Sequence, residues 1–149
     1  MKMTLATAIL LLCLAFGATA ASAQSAYVPI YAHFSERSYA PENMGLAKQS
    51  SEAMTAGRYA KALPYIDKLL ARPDLNPYEI SNTAYFKGVA HEELIRSGRD
   101  MAHAHAVAAQ EAYRAAIAAR GLMTGEYENV SRSLARVERK LALLTAQMD

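Results

Sequence analysis

The chain predicts an all-α fold of antiparallel helical hairpins, about five helices in all. Three observations carry that expectation. Tyr59, Ala62, Leu63, Ile66, Leu69 and Leu70 recur at spacings of three and four, which gathers them on one face of a helix. Tyr127, Val130, Leu134, Val137, Leu141, Leu144 and Met148 alternate spacings of three and four without a break, a heptad seam. Between and around these stretches lie turn signals at Gly57, Pro73-Asp74-Leu75-Asn76-Pro77, Gly98 and Gly121. They leave only short connections, and short connections make consecutive helices antiparallel neighbours. No stretch shows the apolar–polar alternation of a half-buried strand.

Each element has its own local reason. Pro41 suits the first residue of a helix, where its missing N–H costs nothing. That helix is expected to run to about Ala56, with Gly57 as its left-handed stop. The second covers roughly Arg58 to Arg72 and contains Pro64, which deletes one backbone hydrogen bond near the first turns. Asn76-Pro77-Tyr78-Glu79 is the best start signal in the chain: a capping side chain, a first-position proline, and a glutamate placed to reach back to the cap. The third helix is expected to end near Ser97, before Gly98. Asp100 is a plausible cap for a fourth helix, rich in alanine and anchored by Val107, Tyr113 and Ile117, which reaches Arg120 and stops at Gly121. Thr124 is positioned to cap the last helix, about Gly125 to Gln147.

The N-terminus reads differently. Met1-Lys2-Met3, an apolar run from Leu5 to Phe16 and Ala21-Ser22-Ala23 form a cation, a short apolar core and a small-x-small site, the pattern of a secretory signal peptide cleaved after Ala23, with Ala18-Thr19-Ala20 as the alternative site. The run is too short for a comfortable bilayer span, which needs ~20 residues. Cys13, the single cysteine, lies inside it behind Leu12, so a lipid anchor is not expected, and cleavage leaves a product unable to form a disulfide. The expected organisation is a signal peptide over 1–23, an aromatic segment over 24–40 and a helical domain over 41–149. The expected location is the periplasm or outside the cell, without stable membrane insertion after cleavage. A formal net charge of +2 gives no electrostatic reason to expect nucleic acid.

Gly57-Arg58-Tyr59 followed by Ala62 and Ile66 resembles the opening of the second helix of a tetratricopeptide repeat (TPR). Leu69 stands where that family has a small residue, and Pro73 comes one position early. Ala109, Tyr113 and Ala116 reproduce the alanine–aromatic–alanine pattern of a second unit. Gly88 falls where the family places a glycine at the helix crossing, but Ala84, Lys87 and His91 replace the usual tryptophan, leucine and tyrosine. The third and fourth helices are longer than a unit of ~34 residues provides. The resemblance spans about Leu46 to Gly121, and a generic stack of α-hairpins satisfies the same spacings. It implies a short TPR-like right-handed solenoid that acts as a protein-interaction scaffold rather than an enzyme. In that family the groove is lined mainly by the first helix of each pair, which nominates Tyr78, Asn82, Tyr85, Val89, Glu92 and Glu93 as peptide- or protein-binding residues.

Catalytic signals are absent from the sequence. There is no glycine-rich phosphate loop and no nucleophile elbow. His91-Glu92-Glu93-Leu94-Ile95 begins like a zinc-protease helix but lacks the second histidine four residues on. Met101-x-His103-x-His105 has the residue types of a copper site. On a helix, however, Met101 and His105 share a face from which His103 projects away, so no metal and no cofactor is expected. Arg132, Arg136, Arg139 and Lys140 form a basic stripe on the last helix, read as a solvated face. The leading expectation is thus an exported scaffold that binds a protein or peptide partner in the cell envelope. The alternatives are a structural subunit that self-associates through Tyr127–Met148, with the monomer favoured, and a Met/His metal-binding stress protein.

Overall fold

A computed structural model describes residues 39–98 and 101–148, within one compact unit spanning 33–149. The expected signal peptide and most of the expected aromatic segment lie outside the described residues, as does Asp100, the expected cap of the fourth helix. The described chain is all-helical, with no strand: α1 Pro41–Thr55, α2 Tyr59–Leu70, α3 Pro77–Ser97, α4 Ala102–Ala118 and α5 Thr124–Thr145.

Each helix packs mainly on its neighbours in sequence, α3 against α2 on one side and α4 on the other. Side-chain ties give the directions. Lys87 on α3 meets Asp67 on α2 at 2.8 Å, while Glu93 and Arg96, late on α3, act on Tyr59 at the start of α2. On the other side, His91 meets His105 and Ser81 meets Gly121. On α5, Glu138 accepts from Arg114 and Gln110, and Thr145 meets His103. Early residues of one helix thus meet late residues of the next, so α2 to α5 run antiparallel in turn.

The turns mix expectation and correction. Gly57 takes the left-handed conformation, φ 67°, that ends α1. Asn76 and Glu79 make the full capping box of α3: the Glu79 N–H donates to Asn76 Oδ1 at 2.9 Å and the Asn76 N–H to Glu79 Oε2 at 2.8 Å. Pro64 lies well inside α2 with its ring exposed, so the missing N–H falls on the solvent side. Thr124 is not the cap of α5 but its first residue; the Glu126 carboxylate accepts instead from the Met123 N–H at 2.8 Å. Gly121 does not supply the left-handed stop of α4 either. Arg120 does, at φ 56°. Gly121 is needed for space: a Cβ there would lie 2.0 Å from the Pro77 carbonyl oxygen, and its N–H donates to Ser81 Oγ at 2.9 Å.

Among the described helices, α3 holds the longest buried run. From Ser81 to Ala90 every residue except Lys87 is buried, as expected for a helix covered on all sides. Its crossing with α4 is set by Gly88, whose missing side chain receives the fully buried Tyr113 ring; a Cβ at 88 would sit 2.4 Å from that ring. The polar residues of α3 are buried because each has partners. Glu79 Oε1 accepts the Ala40 N–H at 2.8 Å and Asn43 Nδ2 at 3.5 Å. Asn82 donates to the Tyr39 hydroxyl at 3.1 Å, and that hydroxyl also hydrogen-bonds Thr83 Oγ1 at 2.9 Å. Tyr39 also packs with Ala47 and Leu69. Tyr39 and Ala40, placed with the aromatic segment by sequence, therefore pack with the helical body.

Candidate functional site

The C-terminal half of α3 is flanked by two openings. The first, of about 520 Å³, lies between the start of α2 and the end of α3, lined by Gly57, Arg58, Tyr59, Ala60 and Lys61 on one side and Glu93, Leu94 and Arg96 on the other. The second, of about 210 Å³, is lined by Glu92, Ile95 and Arg96 of α3 and by Arg136, Val137 and Lys140 of α5. Arg96 belongs to both. The helix period explains the arrangement: residues 93, 94 and 96 face α2, while 92, 95 and 96 face α5.

Three helices are joined at Glu92. Its Oε2 accepts the Tyr113 hydroxyl of α4 at 2.8 Å and the Arg136 guanidinium of α5 at 2.9 Å, while Oε1 takes a second Arg136 N–H. This bidentate pairing fixes the carboxylate. One residue on, Glu93 pairs with Arg96 at 3.1 Å on the exposed surface. Burial raises the Tyr59 hydroxyl above its ordinary pKa, with Glu93 adding to the shift and Arg96 opposing it.

A turn earlier, His91 Nδ1 and His105 Nδ1 lie 3.1 Å apart, with ring centroids at 5.3 Å. At neutral pH one of these nitrogens donates and the other accepts. Burial first, then His105 and Lys87, push His91 down to about 4, with Asp67 opposing. The Met/His cluster is thereby dispersed: His105 turns to α3, His103 to Thr145 on α5, and Met101 is exposed. Among the described residues, no group of three or more His, Cys, Asp or Glu side chains is placed to hold a metal ion.

The six nominated residues do not form one surface. Asn82, Tyr85 and Val89 are buried; Asn82 serves Tyr39, and the Tyr85 ring packs on Phe86 and Tyr113. As placed, they have no surface to offer a ligand. Tyr78 is half-buried near the start of α3, while Glu92 and Glu93 line the two openings. Sequence reasoning missed Arg58, Lys61 and Arg96, which are brought together only by packing. The basic stripe is exposed, and two of its members, Arg136 and Lys140, reach the second opening, where Arg136 also pairs with Glu92. No protein-family model matches the chain, and no curated protein or solved structure matches it either.

Proposed function

We propose that this chain is an exported, TPR-like helical scaffold that binds a protein or peptide partner in the cell envelope, and that the partner seats on the C-terminal half of α3. The signal-peptide pattern supports export. Consecutive antiparallel hairpins, each packed chiefly on its neighbour, support a stacked-repeat reading. The observation that carries the binding surface is the pair of openings that share Arg96. They join apolar walls (Tyr59, Leu94, Ile95, Val137) to charged rims, the mixed character of a surface used for partners. No described constellation has the nucleophile, base and orienting group that catalysis requires.

Site-specific photocrosslinking in cells tests this. A photoreactive phenylalanine analogue at Leu94 or Ile95 is expected to trap a discrete partner, and the same group at exposed Lys48 or Glu111 is not. Traps that do not differ between the two sets would remove the assignment of this face. A second reading, self-association, draws on α5, where Tyr127 is 50% exposed and Leu143 63%; it is tested by the mass of the mature protein in solution.

A further inference from the structure

We infer that the segment bound across the C-terminal half of α3 is an acidic peptide carrying spaced apolar residues. The inference rests on the reading of that face as the binding surface and names the chemistry of its occupant. Five cations line the two openings: Arg58, Lys61 and Arg96 at the first, Arg96, Arg136 and Lys140 at the second. Two acids stand among them, and both are already engaged, Glu92 by Arg136 and Glu93 by Arg96. Subtracting those pairs leaves Arg58, Lys61 and Lys140, which have no ion pair among the described residues and are all exposed.

The surplus is positive on both sides of one helical turn. Between the cations lie Leu94 and Tyr59 in one opening and Ile95 over the buried Val137 in the other. A ligand complementary to this surface has carboxylates for the rims and apolar side chains for the walls. A basic segment would meet three unscreened cations. A wholly apolar one would cover them and lose their hydration without return. Side chains rather than backbone set the preference, so sequence order in the partner matters less than its charge and the spacing of its apolar residues.

The test uses the mature protein and a fluorescein-labelled peptide of glutamates interrupted by leucines, read by anisotropy. Three comparison ligands are run beside it: the lysine counterpart, an all-glutamate peptide, and vesicles containing phosphatidylglycerol. The expected result is saturable binding of the glutamate–leucine peptide that weakens at high salt, weaker binding of the all-glutamate peptide, and none of the lysine one. Arg58→Glu/Lys61→Glu/Lys140→Glu should weaken binding at least about tenfold. Lys48→Glu/Lys68→Glu/Arg132→Glu, the same charge change at exposed cations lining neither opening, should leave it within about twofold. Circular dichroism melts of both variants establish that they fold. Failure of the acidic peptide to bind, equal loss in the two variants, or preferred binding of the vesicles would overturn the inference. If photocrosslinking at Leu94 traps a partner while the acidic peptide fails, the acidic chemistry alone is wrong. If both fail, the face itself is wrong.

Discussion

At the scale of single residues, the junction between α4 and α5 shows how backbone position and side-chain identity divide their tasks. Arg120 carries a left-handed φ of 56°, which costs a non-glycine residue roughly 1–2 kcal/mol. Gly121, next to it, has the room problem instead, with the Pro77 carbonyl where its Cβ would be. Two substitutions therefore have opposite signs. Gly121→Ala should destabilise by at least ~2 kcal/mol, because backbone rather than a movable side chain must give way. Arg120→Gly should be neutral to stabilising by up to ~1 kcal/mol, since strain relief outweighs the added freedom of the unfolded chain. Urea titrations of both variants measure it; a Gly121→Ala protein as stable as wild type would mean that α3 and the 119–123 turn do not approach this closely. The glycine at 121 was visible in the sequence, but its purpose was not, because Pro77 is far away along the chain. Gly88, expected at a helix crossing, does lie at one, its missing side chain receiving the Tyr113 ring.

At the scale of elements, what was legible was what is local. The Asn76–Glu79 capping box involves four consecutive residues and a fixed geometry, so its letters suffice. The second oxygen of Glu79 is not legible, because its partners lie far back along the chain, Ala40 just before α1 and Asn43 in the first turn of α1. The heptad seam on α5 was legible as a stripe, yet only Val130 and Val137 are buried; Leu134, Leu141 and Leu144 are half-covered. On α4 and at its C-cap the alanines divide likewise: Ala112 is buried, Ala108 and Ala119 are partly so, and Ala115 is exposed. The binding nominees, half-buried Tyr78 apart, divide between buried positions and the two openings for a related reason. A first-helix-of-the-pair rule assumes that α3 presents one face outward, whereas neighbours on both sides leave Ser81 to Phe86 none to present. The α3–α4 pairing makes a further prediction at the His91–His105 contact. His91 has a folded pKa depressed to about 4, from an ordinary value of 6.5. The unfolded chain therefore takes up the proton first, and the contribution of this site to stability is complete above about pH 6.5 and lost as pH falls toward 4. Burial works most in that direction, followed by the second imidazole and Lys87, and Asp67 works against it. Unfolding free energy measured between pH 7 and 4 should fall for wild type, and His91→Gln should flatten that slope. An unchanged slope in the variant would show that the pair does not couple protonation to folding.

At the scale of the whole molecule, the question is whether the helices close on themselves or present a seam to a second copy. Val130 and Val137 share one heptad position and are covered within the chain, with α4 beside α5. Glu138 is held by Arg114 and Gln110, and Arg136 by Glu92 on α3, so polar ties join α5 to its own neighbours alongside the seam. What stays uncovered on the seam is its two ends, Tyr127 at 50% and Met148 at 70% exposure. At 1.5 Å per residue they lie about 30 Å apart. A stable interface buries about 800 Å² per partner around a continuous apolar centre. Two side chains at opposite ends, with half-covered leucines between them, fall well short of that. The expected state is a monomer. Sedimentation velocity of residues 24–149 over a wide concentration range should give one species of constant mass, and Leu134→Asp should lower its stability without changing that mass. A dimer that Leu134→Asp converts into a folded monomer would instead make α5 an interface and favour the self-associating subunit. A dimer that persists in Leu134→Asp but dissociates in Arg58→Glu/Lys61→Glu would place the copies on the face assigned to the acidic partner.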